Sequence, residues 1–88
     1  MSALTDLPNI GKTMESQLNQ IGVTTPEQLA NLGSKDAWLL IQGFDPSACL
    51  LRLMALEGAI QGIKKNDLPD QTKADLKAFY HAHKIKRS

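Results

Sequence analysis

Residues 7–33 read LPNIGKTMESQLNQIGVTTPEQLANLG, and the helix starts and stops within them decide the fold class. Leu7-Pro8-Asn9-Ile10-Gly11 is a turn with apolar residues on either side of Asn9. A helix follows from about Lys12 to Ile21, because Met14, Leu18 and Ile21 recur at i, i+4 and i+7 and share one face. Gly22 takes the position after its end, where a left-handed backbone costs glycine little. Thr25-Pro26-Glu27-Gln28 is the next start. It places Thr at N-cap, Pro at the first helical position and Gln at N3, a capping box. That helix is short, and Gly33 stops it after Leu32.

Working outward, Ser34 is positioned to cap a third helix through Trp38, Leu39, Leu40 and Ile41, which Gly43 closes. Asp45-Pro46 opens the longest helix, to about Ile63. Its apolar side chains cover most of the helical circle and leave only Glu57, Gln61 and Lys64 on a polar arc, the pattern of a buried central helix. Leu68-Pro69-Asp70 begins a last helix, with Leu76, Phe79 and His83 on one face and Lys73 and Lys77 away from it. No run shows the period-2 alternation of a strand. The expected fold is all-α, a compact bundle of about five helices. Residues 1–83 form a single domain, and residues 84–88 form a basic tail.

Composition bounds the function. A chain of 88 residues is one domain, which buries roughly 60–65% of its unfolded surface. With 42% hydrophobic and 22% charged residues it falls in the globular range. A formal charge of +1 excludes nucleic-acid binding driven by the field of the whole molecule and leaves only a local patch. The single cysteine, Cys49, excludes an internal disulfide framework and fits a reducing compartment. No signal peptide stands at Met1-Ser2-Ala3-Leu4-Thr5-Asp6. The most apolar segment, Ala48 to Ile63, carries Arg52 and Glu57 and is too short to cross a bilayer. A soluble cytoplasmic domain without membrane contact is the expectation.

The order of elements in residues 7–32 resembles the helix-hairpin-helix motif of DNA-binding proteins. There a tight turn at a helix start cradles a phosphate with main-chain amides and the positive end of the helix dipole. The resemblance implies that Asn9, Ile10 and Gly11 donate amides while Lys12 and Thr13 flank the phosphate. Two departures stand out. Asn9 occupies the place of the usual first glycine, and only six residues precede Leu7, which leaves a single turn at most for the motif's first helix. The alternative is that Pro8–Gly11 merely starts a helix and packs Leu7 and Ile10 into the core.

The likeness extends further. Leu7-Pro8-Asn9-Ile10-Gly11-Lys12, Ile21-Gly22-Val23, Leu32-Gly33-Ser34, Leu53-Met54-Ala55-Leu56-Glu57-Gly58-Ala59 and Leu68-Pro69 occur in that order. This series is similar to the C-terminal domain of the TfoX/Sxy family of competence regulators, over about residues 4–80. The resemblance implies a small all-helical regulatory domain of bacterial origin, acting in transcription or DNA uptake. Full-length family members carry an N-terminal domain ahead of this one.

The remaining candidates each carry a plain reading beside a functional one. Gly58 and Gly62 imply close backbone approach, by a crossing helix or by a second copy in weak self-association. Arg52 projects among apolar residues, so it either reaches a carboxylate or marks, with Trp38, a surface for a regulatory protein. Glu57 pairs locally. His81 and His83 point about 200° apart on a helix, so no metal site is expected. Cys49 reads as a buried thiol. Lys84, Lys86 and Arg87 either graze a phosphate backbone or form a solvated helix end. No nucleophile–base pair or nucleotide-binding glycine loop appears, so neither catalysis nor a cofactor is expected. Two readings stay open: a DNA-backbone-binding module, and a protein-interaction module in a regulatory complex.

Overall fold

The computed structural model describes residues 4–83 and is all-helical across them. A 3-10 turn, Leu4–Asp6, precedes five α-helices: α1 Lys12–Gln20, α2 Pro26–Leu32, α3 Ser34–Phe44, α4 Leu50–Gln61 and α5 Asp70–His83. A second 3-10 turn, Lys65–Asp67, joins α4 to α5. The expected five-helix fold is therefore present, and no strand occurs among the described residues.

Two of the three expected glycine stops act as such: Gly22 and Gly33 take positive φ. Thr25 Oγ1 accepts from the Gln28 amide at 3.2 Å. Gln28 closes the box one residue earlier than the motif prescribes, because its Oε1 accepts from the Thr24 amide at 2.7 Å. The core is built from Leu4, Leu18, Leu29, Trp38, Ile41, Leu53, Leu56 and Leu76, all fully buried. Helix α4 packs against α2, α3, α5 and the 65–67 turn, which is the central position its apolar circle predicts.

Four local expectations are corrected. The helix expected to be longest starts at Leu50, not Pro46, and its 12 residues are fewer than the 14 of α5. Asp45 instead ends α3, and its Oδ1 accepts from both the amide and the hydroxyl of Ser47, so the segment closes as a side-chain-held turn in competition with a helix. Helix α3 runs through Gly43 to Phe44. Gly33 rather than Ser34 is the N-cap of α3, and Ser34 is a buried first-turn residue. Cys49 is exposed at the N-cap of α4 and not buried.

Asp45 is a hub. Its Oδ2 accepts from Gln17 Nε2 of α1 at 2.7 Å and from Arg52 Nη1 of α4 at 2.6 Å. Hydrogen bonds from Ser47, then Arg52 and Gln17, hold its carboxyl well below the usual carboxylate range. A depressed pKa contributes stability that is present above the unfolded value of about 3.9 and is lost as pH falls through the folded value. Asp45→Asn is accordingly less stable than wild type near neutrality, and the gap between their guanidinium midpoints narrows below about pH 4. A gap that is constant between pH 7 and pH 3 contradicts this assignment.

Candidate nucleic-acid interface

The hairpin turn is built around Asn9, whose backbone is left-handed with φ 70°. Asparagine tolerates that region better than most residues. Its side chain points inward to the far end of α4. Nδ2 donates to the carbonyls of Ile63 at 3.0 Å and Ala55 at 3.4 Å, and Oδ1 accepts from the Lys65 amide at 3.1 Å. The turn is thus fastened to the junction between α4 and the 65–67 turn. Gly58 makes the room: a Cβ there would lie 2.6 Å from Asn9 Nδ2 and 2.7 Å from the Ile63 carbonyl oxygen. The close approach predicted at Gly58 is therefore by this side chain and by the backbone of Ile63 and Lys65, not by a crossing helix. Gly62 serves separately as the left-handed C-cap of α4.

Beyond the turn, Gly11 is the N-cap of α1 with extended backbone and no capping side chain. The first intrahelical bond runs from the Glu15 amide to the Gly11 carbonyl at 2.9 Å. The amides of Lys12, Thr13 and Met14 lie ahead of it, where a helix has no partners of its own to offer. Gly11, Lys12 and Thr13 are exposed. An exposed amino end of this kind, with a lysine in its first turn, has the electrostatics of an anion site. Glu15, also in the first turn, is the opposing charge.

The structure gathers some of the predicted residues and removes others. Gly11, Lys12 and Thr13 share the exposed start of α1. Ile10 is in the core and its amide donates to the Leu7 carbonyl at 3.4 Å, so it is committed to the turn and not to a ligand. Trp38 is fully buried between α3 and α5, edge-on to Phe79 and Tyr80 at centroid distances of 6.1 and 5.6 Å, so it cannot present a partner surface. Arg52 pairs with Asp45. Lys84, Lys86 and Arg87 lie outside the described residues. His83 is exposed rather than packed, stacked on Phe79 at 4.1 Å. Among the described residues no group of His, Cys, Asp and Glu could hold a metal, and no helix is long and apolar enough to cross a membrane.

Sequence reasoning missed two features. Leu40, Phe44 and Leu51 are 49%, 43% and 57% exposed. Leu40 lies about 200° round α3 from Trp38, so phasing α3 on Trp38 would have put Leu40 outside the core face. The other is a cleft between the amino ends of α3 and α5 and the polar edge of α4, lined by Ser34, Glu57 and Asp75 among others.

The sequence profile of the TfoX C-terminal domain matches residues 1–80. Protein Sxy of Escherichia coli strain K12 is 34% identical over 73 residues, which cover 83% of this chain and 35% of Sxy. The chain therefore spans about a third of that relative. A crystal structure of an uncharacterized protein from Listeria monocytogenes superposes with a TM-score of 0.91 at 44% identity, over 92% of both chains. A tetragonal-form structure of a protein of unknown function from Listeria monocytogenes gives 0.88 at 46% identity, over 90% of this chain and 96% of that one.

Proposed function

The chain belongs to the TfoX C-terminal domain family, related to competence regulators, and from that premise we propose that it contacts the DNA backbone through the exposed start of α1. The observation that carries the reading is the Gly11–Thr13 segment: an N-cap without a capping side chain, followed by an exposed lysine. Gly11, Lys12 and Thr13 supply amides, and Lys12 adds an ammonium. Asn9 acts from behind, holding the turn against α4 by its side chain, and so positions the segment without touching the ligand. Contacts of this type fix orientation on a duplex and read no bases.

The test is fluorescence anisotropy with labelled duplex DNA at several salt concentrations. Binding is expected to weaken linearly on a log–log salt plot, with a slope of about −0.9 per phosphate neutralised. Lys12→Glu is expected to weaken binding and make the slope shallower by about one phosphate. Binding indifferent to Lys12, or none at low salt, overturns the reading.

A second reading, a protein-interaction module, is favoured by the exposure of Leu40, Phe44 and Leu51. Exposed large apolar side chains are common singly and informative only when contiguous. Retained pull-down of a regulatory protein by wild type, lost in Leu40→Ser/Phe44→Ser, would support it.

A further inference from the structure

The cleft beside Glu57 lies apart from the start of α1 and has a different chemistry. It is an open cleft of about 830 Å³, with Leu32 and Leu76 among its apolar lining and Asp36, Glu57 and Asp75 as its acids. Glu57 is half-buried, and both of its carboxylate oxygens are fixed by neutral donors. Ser34 Oγ donates to Oε1 at 2.6 Å and Gln61 Nε2 donates to Oε2. No ion pair reaches Glu57 among the described residues. The cation that lines the cleft, Lys35, is taken by Asp75 at 2.8 Å and lies 5.4 Å from the Phe79 ring centroid. Three acidic residues thus line the cleft with one lysine, itself paired with one of them. The amino ends of α3 and α5 add only about half a positive charge each, so the cleft stays negative in a chain whose net charge is +1.

A half-buried carboxylate held in one orientation beside apolar surface suits a long cationic side chain. The stem of arginine or lysine covers apolar groups while its head meets the carboxylate. We infer that this cleft docks an arginine or lysine side chain from a segment of a partner protein, with Glu57 as the principal contact and Asp36 at the rim. This goes beyond the DNA reading, and no residue of the cleft belongs to the turn and helix start at residues 7–13.

The test is an amide-shift NMR titration of the full chain with the blocked peptide acetyl-Ala-Arg-Ala-amide. Saturable shifts are expected at Ser34, Asp36, Glu57 and Thr72. The same peptide with glutamine in place of arginine should cause none. Glu57→Gln keeps the shape and an acceptor for Ser34, so it should leave the melting temperature nearly unchanged and raise the peptide Kd about tenfold. Asp36→Asn, at an exposed position, should raise it about twofold, as befits a rim charge. Unsaturable shifts, an unchanged Kd in Glu57→Gln, or equal binding of arginine amide alone would overturn the inference. The Lys12→Glu binding test leaves this cleft untouched, so each proposal fails separately.

Discussion

Trp38→Ala is expected to cost about 3–5 kcal/mol, the range for emptying a buried aromatic site. Trp38 is among the largest fully buried side chains of the core. It packs in T-shaped contacts with Phe79 and Tyr80, so it carries much of the attachment of α5 to α3. Domains of this size hold at most about 5–15 kcal/mol in total, so the melting temperature should drop on the order of 20 °C. Trp38→Phe should be far milder. Its Nε1 is buried with no acceptor among the described residues, so removing it breaks no hydrogen bond and relieves an unpaired donor. What remains is the smaller cavity. A loss under about 1.5 kcal/mol in Trp38→Ala would show that the site collapses and that Trp38 does not organise the core.

Gly58→Ala carries the second large effect, and its sign is diagnostic. Helix propensity alone favours alanine over glycine inside a helix by about 1 kcal/mol. The packing says the opposite. The new methyl would fall 2.6 Å from Asn9 Nδ2 and 2.7 Å from the Ile63 carbonyl oxygen, and 3.3 Å from Lys65 Cα. Two of the three obstacles are backbone, so a rotamer change cannot clear them. The Asn9 side chain would be driven from its bonds to Ile63, Ala55 and Lys65. Overpacking costs typically about 1–3 kcal/mol, and losing these bonds adds about 1 kcal/mol each at most. We expect a net loss of about 2–3 kcal/mol by guanidinium unfolding after the propensity gain is subtracted. In an Asn9→Gly background the same substitution should cost less, because residues in contact are not additive. A Gly58→Ala protein more stable than wild type would contradict the described contact.

Much of the architecture was readable from local signals. The Thr25–Gln28 box, the glycines at positions 22 and 33, and the apolar circle of α4 each belong to a short stretch, so their meaning does not depend on the rest of the chain. The family resemblance carried the same fold from a wider pattern. What was not readable depends on distant partners. Asp45-Pro46 has the composition of a helix start, yet Asp45 is recruited by Gln17 and Arg52 and turns back to hold Ser47. Gly58 looked like a crossing point because the spacing to Gly62 cannot reveal a side chain arriving from position 9. Ser34 looked like a cap because its demand for Glu57, which lies 23 positions away, is invisible locally.

The candidate site divided in the same way. The identities of Gly11, Lys12 and Thr13 and their place at a helix start were legible, because a turn followed by an amphipathic stretch fixes where the free amides stand. The commitment of the Ile10 amide to Leu7, and of the Asn9 side chain to α4, needed the folded turn. The reading of Arg52, with Trp38, as a partner surface rests on a cation that projects among apolar residues, one of two ways to accommodate such a charge. Burial of one and pairing of the other place both in the framework.

The most direct test of phosphate contact at the start of α1 is amide-shift mapping of the full chain with duplex DNA at low salt. The account predicts the largest perturbations at the amides of Gly11, Lys12 and Thr13. Ile10 should move less, since its amide stays within the turn, and Ser34, Glu57 and Thr72 should not move. Perturbations centred on Leu40, Phe44 and Leu51, or none at any DNA concentration reached, would contradict it.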